Sequence, residues 1–458
     1  MLNCARGRRY VTHGELSKVG SFRIRARINA FSRPFARAHR MEKSSMSLTS
    51  KHVLVIGGTD DLALDAIEAL GLRYSMVQAA DLVAERQYRG AERYAVLDYT
   101  DTDELVAVAL GWHTLDRFAA VVSFTEDGLG PASCCAAALG VPGDNLAAVR
   151  ATRDRCTVRE LVERHGLGSV RHRVCMDVRD ACEFLREQAG APIVVKPWDR
   201  GLGQGVRLVR GEWQLEQYWP WISALTGGGP ILAEEFLTGP EFGVETLSLG
   251  AGHEVVLMTE KKTARPHFVE VGYQVPARLT ATERAEIEVL VKRFLELVGQ
   301  GVGPVHTKVR LTAFGPRLIG ARTTAGGEQT WELCRLVSGA DLIAETVAAL
   351  AEVPPPPRAP AAGGAAVRFF DYEDVRILDV SGLDDAVRAR GVARLNCTLE
   401  AGQELGPLRS ATSRQGYVLC TGADTADAVA NAEAAHALVK VLSRPIARRP
   451  AAPAMLGS

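Results

Sequence analysis

Short apolar segments alternate with helical segments in the first third of the chain, and this alternation constrains the fold most. Val53–Ile56 is an apolar run that ends at Gly57 and Gly58. Residues 94–97 and 119–124 form similar runs, and residues 62–70 have helical periodicity. Strands that alternate with helices predict βαβ units and a parallel sheet up to about residue 145. Because the G-x-G-x-x-G spacing is absent, we interpret the two glycines as turn residues, not a dinucleotide site.

Composition narrows the class of protein. The 458 residues carry no formal net charge, so we expect no bulk attraction to nucleic acid or to a membrane surface. No apolar run approaches the roughly 18 residues that span a bilayer. The nine cysteines are scattered without a C-x-x-C pair, which argues against a zinc site or a disulfide scaffold. We therefore expect a cytoplasmic protein whose partners are small molecules.

Residues 1–50 are basic, and we expect no role for them in the fold. Three interpretations stay open at this stage. The segment has the composition of a transit peptide, of a disordered tail, or of sequence upstream of a later start at Met41 or Met46.

A lysine followed by glycines marks a candidate phosphate site. Lys196 lies near the end of the predicted strand 193–197, and the loop after it contains Gly201, Gly203 and Gly205. Glycines let backbone N–H groups approach phosphate oxygens, and the lysine adds a positive charge. The same pattern also fits a β-hairpin with a flexible tip.

Several segments in sequence order resemble the ATP-grasp superfamily, specifically its branch of L-amino-acid ligases and carnosine-synthase-like enzymes. They are 140–143 with 152–159, 196–205, 234–241, 268–276 and 305–333. The resemblance implies an α/β (α+β) fold with an N-terminal parallel α/β pre-ATP-grasp domain at 51–146. It further implies a two-lobed ATP-binding core at 147–352, with a lid at about 178–236, and a small C-terminal α+β domain at 366–443. Residues 353–365 are predicted to be a linker, and residues 444–458 a disordered tail.

The resemblance also implies roles for individual residues. Arg155 stands where the family has a phosphate-binding lysine. The adenine hinge would be formed, mainly by backbone groups, by Glu234, Glu235, Phe236 and Leu237. Glu241 would accept hydrogen bonds from the ribose hydroxyls. Glu270 would lie at the amino-acid substrate, although pairing with Lys261 or Lys262 is an alternative. Arg265, Gly326 and Gly327 belong to segments expected to shape the substrate pocket.

The hairpin at 305–333 departs from the family pattern. Lys308, Gly320 and Arg322 stand where the family usually has the metal ligands Glu, Glu and Asn, and Thr324 replaces an arginine. The resemblance implies ATP as cosubstrate, with Mg²⁺ doubtful, and ligation of an amino-acid-like carboxylate to an amine through an acylphosphate.

Three interpretations of this hairpin follow. The protein has lost ligase activity and scaffolds a partner enzyme; or Lys308 and Arg322 substitute for metal ions; or Glu328 and Glu332 bind the metal instead. For these two acids a solvated helix start is the competing interpretation. A homodimer or a partner enzyme is also expected from the family.

Overall fold

The computed structural model describes residues 50–446, except 59–60, 200–204, 251, 265–268, 328 and 409. The N-terminal unit is a parallel sheet of strand order β3-β2-β1-β4, as the alternating pattern predicts. Its strands are β1 (His52–Ile56), β2 (Arg73–Gln78), β3 (Tyr94–Val96) and β4 (Ala120–Val122). Its helices are α1 (Leu62–Ala69), α2 (Glu85–Gly90), α3 (Thr102–Leu115) and α4 (Glu126–Leu139).

Two helices connect this unit to the next sheet, α5 (Leu146–Arg153) and α6 (Arg155–Arg164). The two helices are separated at Asp154. Its carboxylate accepts hydrogen bonds from the backbone N–H groups of Cys156 and Thr157 and so caps α6.

The lid sheet is antiparallel, with strand order β5-β8-β6-β7. Its elements are β5 (His172–Cys175), α7 (Val178–Glu187), β6 (Ile193–Pro197), β7 (Arg207–Val209), α8 (Glu212–Leu225) and β8 (Ile231–Glu235). Apolar residues of both helices, among them Phe184 and Ile222, form one buried cluster with residues of the strands. Lys196 therefore lies on a strand that is packed on one face by helices.

A large antiparallel sheet follows, with strand order β13-β12-β9-β10-β11 in its first part. These strands are β9 (Glu241–Leu249), β10 (His253–Ala264), β11 (Val269–Val275), β12 (Val302–Thr312) and β13 (Gly315–Arg322). The accompanying helices are α9 (Ala281–Val298), α10 (Thr330–Ser338) and α11 (Leu342–Leu350). The apolar face of α9, including Phe294, packs against Val244 and Val305 of the sheet. Helices α10 and α11 are separate because Gly339, with φ 76°, ends α10.

The C-terminal unit extends the large sheet. Its strand β14 (Gly364–Phe369) pairs with β11, and the order continues as β14-β18-β16. The other elements are β15 (Val375–Ser381), α12 (Leu383–Arg388), β16 (Val392–Cys397), β17 (Glu404–Leu405), β18 (Gly416–Gly422), α13 (Thr425–Leu438) and β19 (Lys440–Pro445). Because β19 includes Arg444 and Pro445, regular structure runs past the predicted boundary at 443.

The proline-rich segment before β14 is fixed to the rest of the molecule. The guanidinium of Arg358 contacts Glu254 at 2.6 Å and Glu345 at 2.8 Å. The N–H groups of Ala361 and Ala362 donate to the carbonyl of Leu336. Over the described ranges, none of the helices has both the length and the apolar character needed to cross a membrane.

Candidate active site

A cavity of about 390 Å³ lies between the lid sheet and the large sheet. Strands β6 and β8 supply one wall, and β9 to β13 supply the other. Of the described residues, the basic ones that line it are Arg155, Arg159, Lys196, Lys261, Lys308, Arg310 and Arg322. The acidic ones are Glu126, Glu234, Glu235, Glu241 and Glu270. The lining therefore carries more basic than acidic side chains.

Lys196 is buried at the lid wall and paired with a carboxylate. Its Nζ lies 2.6 Å from Glu234 Oε2, and Arg159 contacts the other oxygen of Glu234. Arg159 also donates to the carbonyls of Leu318 at 2.6 Å and Ile319 at 2.9 Å. All three charged side chains are at most 6% exposed. A buried charge that lost these partners would be costly, so the cluster has one strongly favoured arrangement.

Burial and neighbouring charges shift the pKa values of this cluster. The pKa of Lys196 is lowered to about 7, mainly by burial; Glu234 opposes the shift, and the charges of Arg159 and Arg155 add to it. Burial would raise the pKa of Glu234, but Arg159 and Lys196 outweigh it and lower that pKa. Glu234 thus stays ionised, while Lys196 titrates near neutral pH. A lysine with a lowered pKa beside a cavity gains stability from an arriving anion.

The hinge residues predicted from the sequence lie at one end of the cavity. Glu235, the last residue of β8, and the two residues after it, Phe236 and Leu237, all line the cavity. The carboxylate of Glu235 contacts the backbone of Arg171, because its Oε1 accepts a hydrogen bond from Arg171 N at 2.8 Å. Glu241 begins β9 and pairs with Arg310, whose Nη1 also donates to the carbonyl of Leu237 at 3.3 Å.

Polar side chains alternate along neighbouring strands of the large sheet and share one face. On β12 these are His306, Lys308 and Arg310, and all three line the cavity. They stand opposite Glu245, Gly243 and Glu241 of β9. Directly opposed residues of an antiparallel pair lie on the same face. This face of the sheet therefore presents both acidic and basic side chains toward the cavity.

A side chain at Gly243 would crowd two neighbouring side chains on this face. A Cβ there would lie 2.8 Å from Cε1 of His306 and 3.2 Å from Cε of Lys261. Glycine at this position leaves room for both side chains.

Glu270 is held between two lysines. Its Oε1 lies 3.0 Å from Lys308 Nζ and 3.6 Å from Lys261 Nζ. Burial would raise the pKa of Glu270, but the charges of Lys308 and Lys261 outweigh it and lower that pKa. Its carbonyl accepts a hydrogen bond from Arg414 of the C-terminal unit at 2.9 Å. Lys261 was anticipated as a partner of Glu270, whereas Lys308 was not.

Arg322 and Arg155 approach the cavity beside the N-terminal unit. Arg322 Nε lies 2.8 Å from Glu126 Oε1, and its Nη1 donates to the carbonyl of Thr152 at 2.9 Å. Arg155 Nη1 donates to the carbonyl of Pro197 at 2.6 Å. Burial lowers the pKa of Arg155 to about 10, and the nearby charge of Arg322 contributes. Glu126, at the start of α4, thus ties the first unit to the hairpin.

The turn after the hairpin is shaped by a buried carboxylate. Glu245 is fully buried, contacts His306 Nδ1 through Oε1, and accepts a hydrogen bond from Gly326 N at 2.9 Å through Oε2. A Cβ at Gly326 would lie 2.5 Å from Glu245 Oε1, so the carboxylate requires glycine there. Gly326 and Gly327 both line the cavity.

The remaining predicted residues are distributed as follows. Gly205 is described at the end of the glycine loop, with φ 76°, whereas Gly201, Gly203, Arg265 and Glu328 lie outside the described residues. Glu332 is only 4% exposed and pairs with Arg394 of β16 at 3.1 Å. The interpretation of Glu332 as part of a solvated helix start is therefore wrong, and Glu332 is not among the residues lining the cavity.

Sequence reasoning missed Arg159, Arg310, Glu126 and the Glu245–His306 pair. The signal for two of them was available. Arg310 continues the alternation set by His306 and Lys308, and Glu245 is a second acid of β9 after Glu241, among apolar and small residues.

Lys308, Gly320 and Arg322, where the family implies metal ligands, offer no side-chain oxygen to a Mg²⁺ ion. Mg²⁺ needs near-octahedral coordination by oxygens, usually with one or two carboxylates and several waters. Within the described parts of the chain, no group of three or more His, Cys, Asp or Glu side chains could hold a metal ion. Each acidic residue of the lining also pairs with a lysine or arginine. The side chains at these three hairpin positions therefore do not fit the metal that the family implies there.

Two family models match the chain. Residues 189–329 match the ATP-grasp domain, and residues 368–442 match the L-amino acid ligase C-terminal domain 2. The D-alanine–D-alanine ligase of Ectopseudomonas mendocina is 28% identical over 170 residues, which are 35% of this chain and 52% of that protein. Carnosine synthase 1 of Gallus gallus is 26% identical over 390 residues, which are 76% of this chain and 41% of that protein. The chain thus spans about half, or less, of these relatives' lengths.

Solved structures confirm the fold. The L-amino acid ligase from Bacillus licheniformis has a TM-score of 0.72 at 21% identity, covering 86% of this chain and 98% of that one. A biotin carboxylase domain from Hydrogenobacter thermophilus, solved with MgADP, ADP and bicarbonate, has a TM-score of 0.63 at 16% identity, covering 85% of this chain and 90% of that one.

The fold and the matched segments define the class: this is a mixed α/β protein with an ATP-grasp domain at residues 189–329. Its C-terminal unit matches the L-amino acid ligase C-terminal domain 2.

Proposed function

We propose that this protein is an ATP-dependent ligase that joins an amino-acid-like carboxylate to an amine. One observation carries the proposal. A single cavity is lined by Lys196, by the hinge residues 235–237, by Glu241 and by Glu270. These are the residues that the family resemblance assigns to nucleotide and substrate, and they come from three separate segments of the chain.

The nucleotide would bind at the lid end of the cavity. Backbone groups of residues 235–237 are suited to the adenine ring, and the Glu241 carboxylate to the ribose hydroxyls. Lys196 and Arg155 would meet phosphate oxygens, where their positive charge stabilises the polyanion. An arriving phosphate would favour the protonated form of Lys196, whose pKa is lowered to about 7 in this structure.

The acid would bind near Glu270 and the turn at Gly326–Gly327. In the reaction, a carboxylate oxygen of the acid attacks the γ-phosphorus, the bond to the bridging oxygen breaks, and ADP leaves with the electron pair. The amine nitrogen then attacks the acyl carbon, phosphate leaves with the C–O electron pair, and the amine loses a proton. The protein contributes mainly by positioning the reactants and stabilising charge.

The proposal is tested by ADP release from ATP in the presence of mixed amino acids, with and without added magnesium, followed by mass spectrometry of the products. We expect ADP release that depends on the amino acids and a product that is one water lighter than its two precursors. The Lys196→Met variant should lower turnover by about 100-fold. Lys292→Met, which removes an exposed lysine of α9, is the matched control. ATP binding without amino-acid-dependent ADP release would instead favour a binding or scaffolding protein.

A further inference from the structure

The hairpin of β12 and β13 directs two cations into the cavity where a metal-binding ligase has acidic ligands. Lys308 stands opposite Gly320, and His306 stands opposite Arg322. Lys308, Gly320 and Arg322 all line the cavity. A Cβ at Gly320 would meet nothing within 4 Å, so the space beside Lys308 is open.

The first cation belongs to a group of three charges. Lys308 and Lys261 both contact the same oxygen of Glu270, so two ammonium groups share one carboxylate. Lys261 is 3% exposed, whereas Lys308 is 36% exposed. The three side chains together carry a positive charge, and Lys308 is the member that presents it to the cavity.

The second cation is Arg322, whose guanidinium group is held by hydrogen bonds to the protein. Arg322 uses Nε for Glu126 and Nη1 for the carbonyls of Thr152 and Ala321. These contacts fix the guanidinium plane and do not involve Nη2. A guanidinium fixed in this way is pre-organised for an anion, because little side-chain entropy is lost when the anion arrives.

The electrostatics of the lining favour a polyanion. Among the described residues that line the cavity, the basic side chains outnumber the acidic ones, as given above. Each carboxylate already neutralises a lysine or arginine, which leaves no described carboxylate to attract a divalent cation. Lysine and arginine side chains can take the charge-stabilising role on a phosphoryl group that metal ions also fill.

We infer that Lys308 and Arg322 contact the polyphosphate of the nucleotide directly, so that this protein binds ATP without a divalent cation. The inference rests on the proposed role of the cavity as a nucleotide site. It adds that side chains of the hairpin supply the positive charge that neutralises the phosphates. Gly320 leaves the space that the phosphate occupies.

The test is ATP affinity by isothermal titration calorimetry, in EDTA and in excess magnesium. Wild-type protein should bind ATP in EDTA about as tightly as in magnesium. Lys308→Gln and Arg322→Gln should each weaken ATP binding in EDTA by about tenfold, as expected for one charge-assisted contact. Their effect on AMP, which lacks the outer phosphates, should be small. Lys292→Gln and Arg278→Gln, which change exposed ion pairs elsewhere, are the matched controls.

A converse variant tests the same idea by gain of metal dependence. Lys308→Glu combined with Gly320→Glu and Arg322→Asn replaces the cations by oxygen donors. We expect this variant to bind ATP only when magnesium is present, with circular dichroism confirming that it is folded.

The outcomes separate this inference from the proposed function. Wild-type binding that requires magnesium would overturn the inference and leave the ligase proposal standing. Unchanged ATP affinity in both single variants would also overturn it. Absence of ATP binding under either condition would overturn both.

Discussion

Glu234 is the residue on which the charge balance of the lid wall depends. Its carboxylate neutralises Lys196 and Arg159 in a site from which water is largely excluded. The family resemblance predicted only that the backbone of Glu234 belongs to the adenine hinge. Nothing in the local sequence shows that the Glu234 side chain contacts Arg159, 75 residues earlier. The role of this side chain required the three-dimensional structure.

Replacing Glu234 by Gln should strongly destabilise the protein. Removing one partner of a buried ion group leaves uncompensated charge, which costs about 3–5 kcal/mol. Urea denaturation monitored by circular dichroism measures the change. Glu235→Gln, at a partly exposed pair with Arg171, is the control and should change the free energy of unfolding by less than about 1 kcal/mol. Equal effects of the two substitutions would contradict the arrangement described for Glu234.

Lys196 should make ATP affinity depend on pH. In the free protein its pKa is lowered to about 7, and bound phosphates should raise that pKa. Below pH 7 Lys196 is protonated both in the free protein and in the ATP complex, so it contributes no pH dependence to ATP affinity. Above pH 7 binding requires proton uptake, so affinity should fall by up to about tenfold per pH unit until the pKa of the complex is reached.

Titration calorimetry from pH 6 to 9, in buffers of different ionisation enthalpy, measures both the affinity and the proton uptake. Lys196→Arg keeps the charge at all these pH values and is the matched variant. The proton uptake should disappear in it, and persistence of the uptake would assign the effect to ATP or to another side chain.

At the scale of elements, the sheet face formed by β9 and β12 supplies Glu241, His306, Lys308 and Arg310 to the cavity lining. Its strands, and the hairpin of β12 and β13, could be predicted from alternating apolar residues and from turn glycines. The register in which β9 pairs with β12 could not be predicted from the sequence. Which residue faces Lys308 depends on how β9 pairs with β12, and that pairing joins segments about 60 residues apart.

Gly243→Ala should disturb this face, and Gly320→Ala should not. The added Cβ at Gly243 would press on His306 and Lys261, and overpacking of this kind costs about 1–3 kcal/mol. Gly320 lies in the same sheet with open space around it, and it provides a control for the change from glycine to alanine. The thermal unfolding temperature should fall for the first variant and stay near wild type for the second. The reverse order would contradict the register reported for β9 and β12.

At the scale of the whole molecule, the C-terminal unit completes the active-site region. The resemblance predicted a small C-terminal domain after a linker. In the structure β14 pairs directly with β11, the strand that carries Glu270, and Arg414 hydrogen-bonds to the backbone of Glu270. Composition suggested a flexible proline-rich segment, but composition cannot show the ion pairs of Arg358 that fix it.

Arg414→Gln should therefore affect the site from a distance. Losing the contact to the Glu270 carbonyl should loosen β11 at the substrate end and reduce turnover by about tenfold, as one hydrogen bond from a charged donor implies. Steady-state kinetics with the active amino-acid mixture measure this effect. Arg390→Gln, at a surface pair with Asp427, is the control and should leave turnover unchanged. Equal turnover in the two variants would show that the C-terminal unit does not position Glu270.

The central claim is that the cavity forms an acylphosphate from ATP and a carboxylic acid. Incubation with ATP and amino acids labelled with ¹⁸O in the carboxylate tests it directly, because one carboxylate oxygen leaves with the phosphate when the amine attacks. We predict ¹⁸O in the inorganic phosphate that is released together with the amide product. Phosphate without the label would mean that water attacks ATP, and this result would contradict the account.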